Sequence, residues 1–166
     1  AGYLENRALN RQLAFWARTD GLTGLGNRIA FDQRISMLET SLDDEVGLLL
    51  IDVNGLKRLN DTRGHDAGDA LLRIVAERLR QCMHGITGDL YRIGGDEFVI
   101  LLAADGLAHK EVLVQRLIEQ QHAPATLVGQ EYGVSFSYGY ADSRQTPFSL
   151  LYKMADKLMY QQKQGY

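Results

Sequence analysis

The sequence contains a single cysteine, Cys82, among 166 residues. No disulfide can close within the chain, and the composition fits a reducing compartment. Cys82 falls late in an amphipathic helical pattern and reads as a small packing residue. Long hydrophobic runs are missing too: none approaches the ~20 residues needed to span a bilayer, and no secretory signal is visible. An excess of positive charge is also absent. Lys and Arg number 18 against 21 Asp and Glu, giving a net charge of −3 and a pI near 5.8. That balance argues against a nucleic-acid binder relying on a basic face. Repeats and low-complexity tracts are lacking. The glycine-rich stretch 19–28 has no Gly-Lys-Ser/Thr ending and no strand before it, so it is neither a P-loop nor a dinucleotide fingerprint.

What is present is ordinary globular composition, 45% hydrophobic and 23% charged, suited to one domain with a sizeable core. Residues 3–17 carry a helical pattern with Leu9, Leu13 and Trp16 on one stripe. We expect residues 1–18 to be either a connecting or dimerising helix or an ordinary packed one, and residues 19–166 to be the domain proper. Ala1-Gly2 and the stop at Tyr166 read as the ends of a piece of a longer chain. A helix is predicted over 28–40, capped by Asn27, with Ile29, Ile35 and Leu38 buried. Residues 46–53 form a continuous apolar run, the mark of a central strand covered on both faces. Residues 54–69 are polar and dense in turn formers, and a helix from Ala67 to about Met83 would place Asp69 in its first turn. After a hairpin over 90–102, a helix is predicted over 108–122, with Val112, Leu113, Leu117 and Ile118 inward and Pro124 ending it. One strand is predicted over 132–140, bulky on the Tyr132, Val134, Phe136, Tyr138 and Tyr140 face and flat on the Gly133, Ser135, Ser137 and Gly139 face. Thr146-Pro147 opens the last helix, whose stripe is Leu151, Met154, Ala155 and Leu158. The core order, strand–helix–strand–strand–helix–strand, predicts an α+β, ferredoxin-like fold: a mainly antiparallel sheet flanked by helices.

The chemistry gathers at two places. Leu90-Tyr91-Arg92-Ile93 and Phe98-Val99-Ile100-Leu101-Leu102 flank Gly94-Gly95-Asp96-Glu97, the pattern of an antiparallel hairpin whose tip glycines can take positive φ. Alone, this is either a solvated acidic tip or a rigid ledge holding carboxylates beside a polyphosphate and its metal. Asp52 stands near the end of the buried run, where a carboxylate is costly unless paired, hydrogen-bonded or metal-bound. It reads as a cap on the next turn or as a metal ligand. In the ferredoxin-like plan it stands beside Asp96 and Glu97, a sensible cradle for Mg²⁺ carrying a triphosphate. His65 has no second His or Cys nearby and fits a loop-fixing hydrogen bond better than a metal.

Gly94-Gly95-Asp96-Glu97-Phe98 resembles the signature of the GGDEF diguanylate cyclases. The other blocks agree in order and spacing: Asp20-x-Leu22-Thr23-x-Leu25-x-Asn27-Arg28; Ile51-Asp52-Val53-Asn54-Gly55-Leu56-Lys57-x-x-Asn60-Asp61-x-x-Gly64-His65-x-x-Gly68-Asp69; Arg92; Ser137-Tyr138-Gly139-Tyr140-Ala141; and Ala155-Asp156-x-x-x-Tyr160-x-x-Lys163. The resemblance covers residues 19–163 and implies a fold like nucleotidyl cyclases and polymerase palms. It implies that each domain binds one GTP and pairs with a second copy, each 3′-hydroxyl attacking the opposite α-phosphate to give cyclic di-GMP and two pyrophosphates. By the same resemblance Asp52, Asp96 and the Val53 carbonyl would hold Mg²⁺ (or Mn²⁺), and Asp96 is the candidate base. Glu97 would support the metal or the hairpin, Asn60 and Asp69 would read guanine, and Lys57 and Lys163 would meet the phosphates. Gly94, Gly95, Arg92 and His65 would be supporting residues. The implied setting is a cytoplasmic output domain of a larger bacterial sensor, controlling responses such as biofilm formation. Sensory or transmembrane domains would lie N-terminal, with no nucleic acid and no direct membrane contact.

Plainer roles stand beside these. Lys57 and Lys163 can be simple exposed lysines, and Arg92 can brace the hairpin by pairing with a carboxylate. The whole domain can be a catalytically inactive regulatory module that binds GTP or a protein partner, or a cyclase for another nucleotide. The chain also departs from the family. Asn54 and Leu56 stand where relatives often carry Asp and Phe. The Arg-x-x-Asp product-inhibition pair is replaced by Gly85-Ile86-Thr87-Gly88, with Asp89 one place late. We therefore predict no feedback inhibition through this surface. A cyclic di-GMP titration should show no inhibition acting through residues 85–88, and strong inhibition mapping there would contradict it.

Overall fold

Strand β1 (Val46–Val53) is buried along its whole length, and the rest of the fold is arranged on its two faces. The computed structural model describes residues 2–41 and 44–165, with Ala104 described in its backbone only; the reading of Ala1 and Tyr166 as chain ends lies outside them. In chain order the helices are α1 (Gly2–Ala17), α2 (Arg28–Glu39), α3 (Leu56–Arg63), α4 (His65–Cys82), α5 (Lys110–Gln120) and α6 (Leu151–Gln164). The remaining strands are β2 (Gly88–Arg92), β3 (Glu97–Ala103), β4 (Pro124–Leu127), β5 (Gln130–Gly133) and β6 (Phe136–Asp142). The main sheet runs β2–β3–β1–β6 and is antiparallel throughout. This is the expected ferredoxin-like α+β order.

Side chains of a strand alternate between faces, and β1 uses the alternation to build two cores. Leu49, Ile51 and Val53 join Leu71, Val75 and Leu79 of α4 and Leu113 and Leu117 of α5. Leu48 and Leu50 join Phe31 and Leu38 of α2 and Leu151, Ala155 and Met159 of α6. Asp52 continues the second series, so its carboxylate emerges on the α6 side. Asn27 caps α2, its Oδ1 accepting the Ala30 N–H at 3.0 Å.

Several expectations need correction. Residues 56–63 form a helix, α3, whose one buried side chain, Leu59, leaves no periodic pattern to read. Helix α4 begins at His65, so Asp66 occupies its first turn and Asp69 lies further in. Helix α5 stops at Gln120, and Pro124 opens a strand rather than ending a helix. The alternation over 132–140 conceals two strands: β5 pairs with β4 in a separate hairpin, while β6 joins the main sheet. Ile29, Val112, Ile118, Met154 and Leu158 are exposed; each stripe was drawn wider than the face that packs. Gly94 and Gly95 do not take positive φ. A side chain at Gly95 would meet only open space, so the tip stays bare without demanding an unusual backbone.

The flat face of β6 has a packing reason. A Cβ at Gly139 would approach the Ala155 carbonyl to 2.0 Å and the Met159 amide to 2.4 Å, so glycine lets α6 lie directly on the strand. Gly139→Ala should destabilise the fold by about 2–3 kcal/mol through overpacking, read as a lower midpoint in urea unfolding.

Candidate active site

Asp52 is almost fully buried, with 7% of its surface exposed. In register it lies between Glu97 of β3 and Ser137 of β6. Its Oδ2 accepts from Lys163 Nζ of α6 at 2.5 Å, while its Oδ1 is buried without a hydrogen-bond partner among the described residues. Burial pushes the Asp52 carboxyl up to about 6; the Lys163 contact opposes this, and the charge of neighbouring Asp96 adds to it. The hairpin tip is tied to β1 by the Val53 amide, which donates to the Asp96 carbonyl at 2.8 Å. The two carboxylates are thus brought together by the sheet, as the strand order requires.

One cleft of about 460 Å³ is lined by Val53, Lys57, Asp96 and Lys163, together with Arg58 and Asp61. Arg58 and Asp61 were not singled out from sequence. Their signal was the helical spacing of Lys57 and Asp61, legible only once 56–63 is known to be a helix. Glu97 sits beside the cleft: burial and the charges of Asp96 and Asp156 push its carboxyl up, while Arg28 and a hydrogen bond from Tyr152 oppose this. Asn60 and Asp69 do not line this cleft. Asn60 lies on α3 and Asp69 on α4, and the two helices meet at Gly64, whose φ is +88°. A Cβ at Gly68 would come within 1.8 Å of Asn60 Oδ1, so this glycine lets the amide lie against α4. Asn60 Oδ1 is also buried and has no hydrogen-bond partner among the described residues. His65 opens α4 exposed to solvent and makes no side-chain hydrogen bond among the described residues, so the expected loop-fixing role is not seen.

Arg92 is a brace. Its Nη1 pairs with both oxygens of Asp20, at 3.0 and 3.2 Å, and its Nη2 and Nε donate to the Gly95 carbonyl at 3.0 and 3.3 Å. Burial raises the Asp20 carboxyl, but bonds from the Thr23 hydroxyl and amide, with Arg92, outweigh it and hold Asp20 below the usual carboxylate range. Asn54 is also structural: its Nδ2 donates to the Ser135 hydroxyl at 3.0 Å and its Oδ1 accepts from Ser137 at 3.3 Å. An Asp here could not donate, which gives asparagine a local purpose.

The donor set fits a hard divalent cation. Asp52 offers a buried oxygen with no partner among the described residues, and Asp96, with a second carboxylate, and Val53 line the cleft. Among the described residues no cluster of three or more His, Cys, Asp or Glu could hold a metal by itself. A hard divalent cation such as Mg²⁺ takes one or two carboxylates and leaves its other positions to water and phosphates.

A family profile described as "Diguanylate cyclase, GGDEF domain" matches residues 17–166. Diguanylate cyclase DgcS of Shewanella oneidensis is 33% identical over 165 residues, 96% of this chain and 54% of that protein. Cyclic di-GMP phosphodiesterase NbdA of Pseudomonas aeruginosa is 40% identical over 128 residues, 74% of this chain and 16% of that protein. The chain therefore spans about half the length of the first and a small part of the second. Among solved structures, the coiled coil and GGDEF domain of DgcB from Caulobacter crescentus, in complex with c-di-GMP, superposes with a TM-score of 0.82. It is 25% identical, covering 99% of this chain and 90% of that one.

The Arg92–Asp20 pair leaves only 17% of either side chain exposed. Arg92→Met strands a largely buried carboxylate and should cost about 2 kcal/mol. Because folding lowers the Asp20 pKa, the pair's contribution is complete above the unfolded value and disappears as pH falls through the folded one. Urea titrations should show the gap between wild type and Arg92→Met narrowing in acid.

Proposed function

The chain belongs to the GGDEF family of diguanylate cyclase domains, and on that premise we propose that it condenses two GTP into cyclic di-GMP and two pyrophosphates across a pair of its own copies. The observation that carries the reading is a coincidence of unmet bonds. Among the described residues, the buried side-chain oxygens without a partner are Asp52 Oδ1 and Asn60 Oδ1. Unpaired buried polar atoms are rare in folded proteins and call for an explanation. One suits a cation beneath a triphosphate; the other suits the N–H donors of a guanine edge.

In this reading Asp52, Asp96 and the Val53 carbonyl hold Mg²⁺ or Mn²⁺, which when bound supplies neutralisation of the triphosphate charge. Lys57 and Lys163, both at the cleft, bind phosphate oxygens and align the α-phosphate for in-line attack. Asp96 accepts the proton of the 3′-hydroxyl of the GTP carried by the other copy. Asn60 and Asp69 accept from guanine, and Glu97, held by Tyr152, steadies the base of the hairpin. Residues 1–18 serve as a linker that carries the signalling helix α1, ahead of a catalytic domain assigned to 19–166. The α1 stripe Leu9, Leu13 and Trp16 is exposed, and a second copy covers it. The chain acts as the cytoplasmic output domain of a larger sensor, with sensory or transmembrane domains N-terminal to it. Among the described residues no helix is long and apolar enough to cross a membrane.

A second reading, a non-catalytic nucleotide-binding module, has one observation in its favour: Lys163 already places a cation on Asp52. Incubation of concentrated protein with GTP and Mg²⁺, followed by nucleotide chromatography, separates the two. The cyclase yields cyclic di-GMP at a rate rising faster than linearly with protein, and Asp96→Ala yields none. A forced dimer that binds GTP without product supports the module. Asp69→Ala should also lower the preference for GTP over ATP, by about tenfold for loss of a hydrogen bond to a charged acceptor. Unchanged selectivity would remove Asp69 from guanine recognition.

A further inference from the structure

Strand β6 is an outer strand of the main sheet, and outer strands present unpaired backbone N–H and C=O groups. Two glutamine side chains occupy these groups at the end nearest the site. Gln121, just past α5, donates from Nε2 to the Phe136 carbonyl at 2.7 Å. Gln162 of α6 accepts the Tyr138 N–H through Oε1 at 2.7 Å. The same Oε1 accepts a second bond from Gln121 Nε2 at 3.2 Å. Together the amides offer β6 one donor and one acceptor, as the peptide of an added strand would. Phe136 and Ser137 pair across β1 with Val53 and Asp52, so this clamp sits one strand away from the cleft.

Gln162 directly precedes Lys163. Beyond Met159 no apolar residue of α6 is buried, and Tyr160, Gln161 and Gln164 are exposed. Helix ends fray unless something holds them. Among the described residues, the side-chain hydrogen bonds tying this last turn to the sheet are those of Gln162 and Lys163 themselves. We propose that Gln162, steadied by Gln121, is a positioning residue that fixes the last turn of α6 so that Lys163 reaches Asp52 and the phosphates of bound GTP. The proposal rests on the phosphate-binding role given to Lys163 above.

The geometry dictates the variants. Gln162 uses Oε1 alone, as an acceptor, so Gln162→Glu keeps both bonds and Gln162→Met, of similar length, keeps neither. The readouts are the affinity for a non-reactive GTP analogue with Mg²⁺ by calorimetry and the cyclisation rate, in wild-type and Lys163→Ala backgrounds. Urea midpoints confirm that each variant is folded. Gln162→Met should weaken binding by about tenfold, and Gln162→Glu should restore it to within about twofold. In the Lys163→Ala background Gln162→Met should cost nothing further, because its effect passes through the lysine. Equal losses in both backgrounds, or no loss in either, would overturn the proposal. Lys163→Ala without effect would overturn the parent assignment as well, and that arm reports it independently of Gln162.

Discussion

A carboxylate at the end of a strand buried over its full length is the constraint on which the rest of this structure depends. Removing an ion from water costs several kcal/mol unless partners replace the lost solvation. Asp52 meets that demand halfway: Lys163 satisfies one oxygen, and none of the described residues satisfies the other. The neighbouring elements are organised around the remainder. The hairpin tip is fastened to β1 at Val53, Arg92 locks the tip to the Asp20 loop, and Gly139 lets α6 come close enough to deliver its lysine. Such partial satisfaction makes sense in a site finished by a ligand, and it would be wasteful in a purely structural one.

The stabilising and the functional parts of the site are separable. Arg92, Asp20, Asn54, Ser135 and Ser137 have their bonds met within the chain. Asp52 and Asn60 do not. Completed contacts fix the frame, and incomplete ones are left at the positions where metal and base are expected, which is how a preorganised site avoids rearranging when it binds.

Much of this was legible in the sequence where one local signal dominated. The apolar run 46–53 could only be a buried strand, the carboxylate within it had to be explained, and Asn27 announced the start of α2. The readings failed where tertiary structure overrode or hid the local pattern. Helix α3 buries only Leu59 and is rich in turn formers, so nothing in its spacing marks a helix, and Arg58 and Asp61 went unseen with it. The even alternation from Tyr132 to Tyr140 carries no trace of the break between β5 and β6, because both strands put bulky residues on the same side. The hairpin glycines matched a turn that needs positive φ, whereas the actual turn does not. Gln121 and Gln162 carry no sequence signal at all, since a polar residue meets a sheet edge only after the fold is made.

The most direct test of the account is whether Asp52 is a metal ligand rather than a buried partner for Lys163. Electron paramagnetic resonance of Mn²⁺ added with GTP to the protein, beside Asp52→Asn, reads this without requiring turnover. Wild type should bind the ion with the nucleotide, and Asp52→Asn, still folded, should lose it. Equal Mn²⁺ binding by both proteins would contradict the central claim and return Asp52 to a structural role.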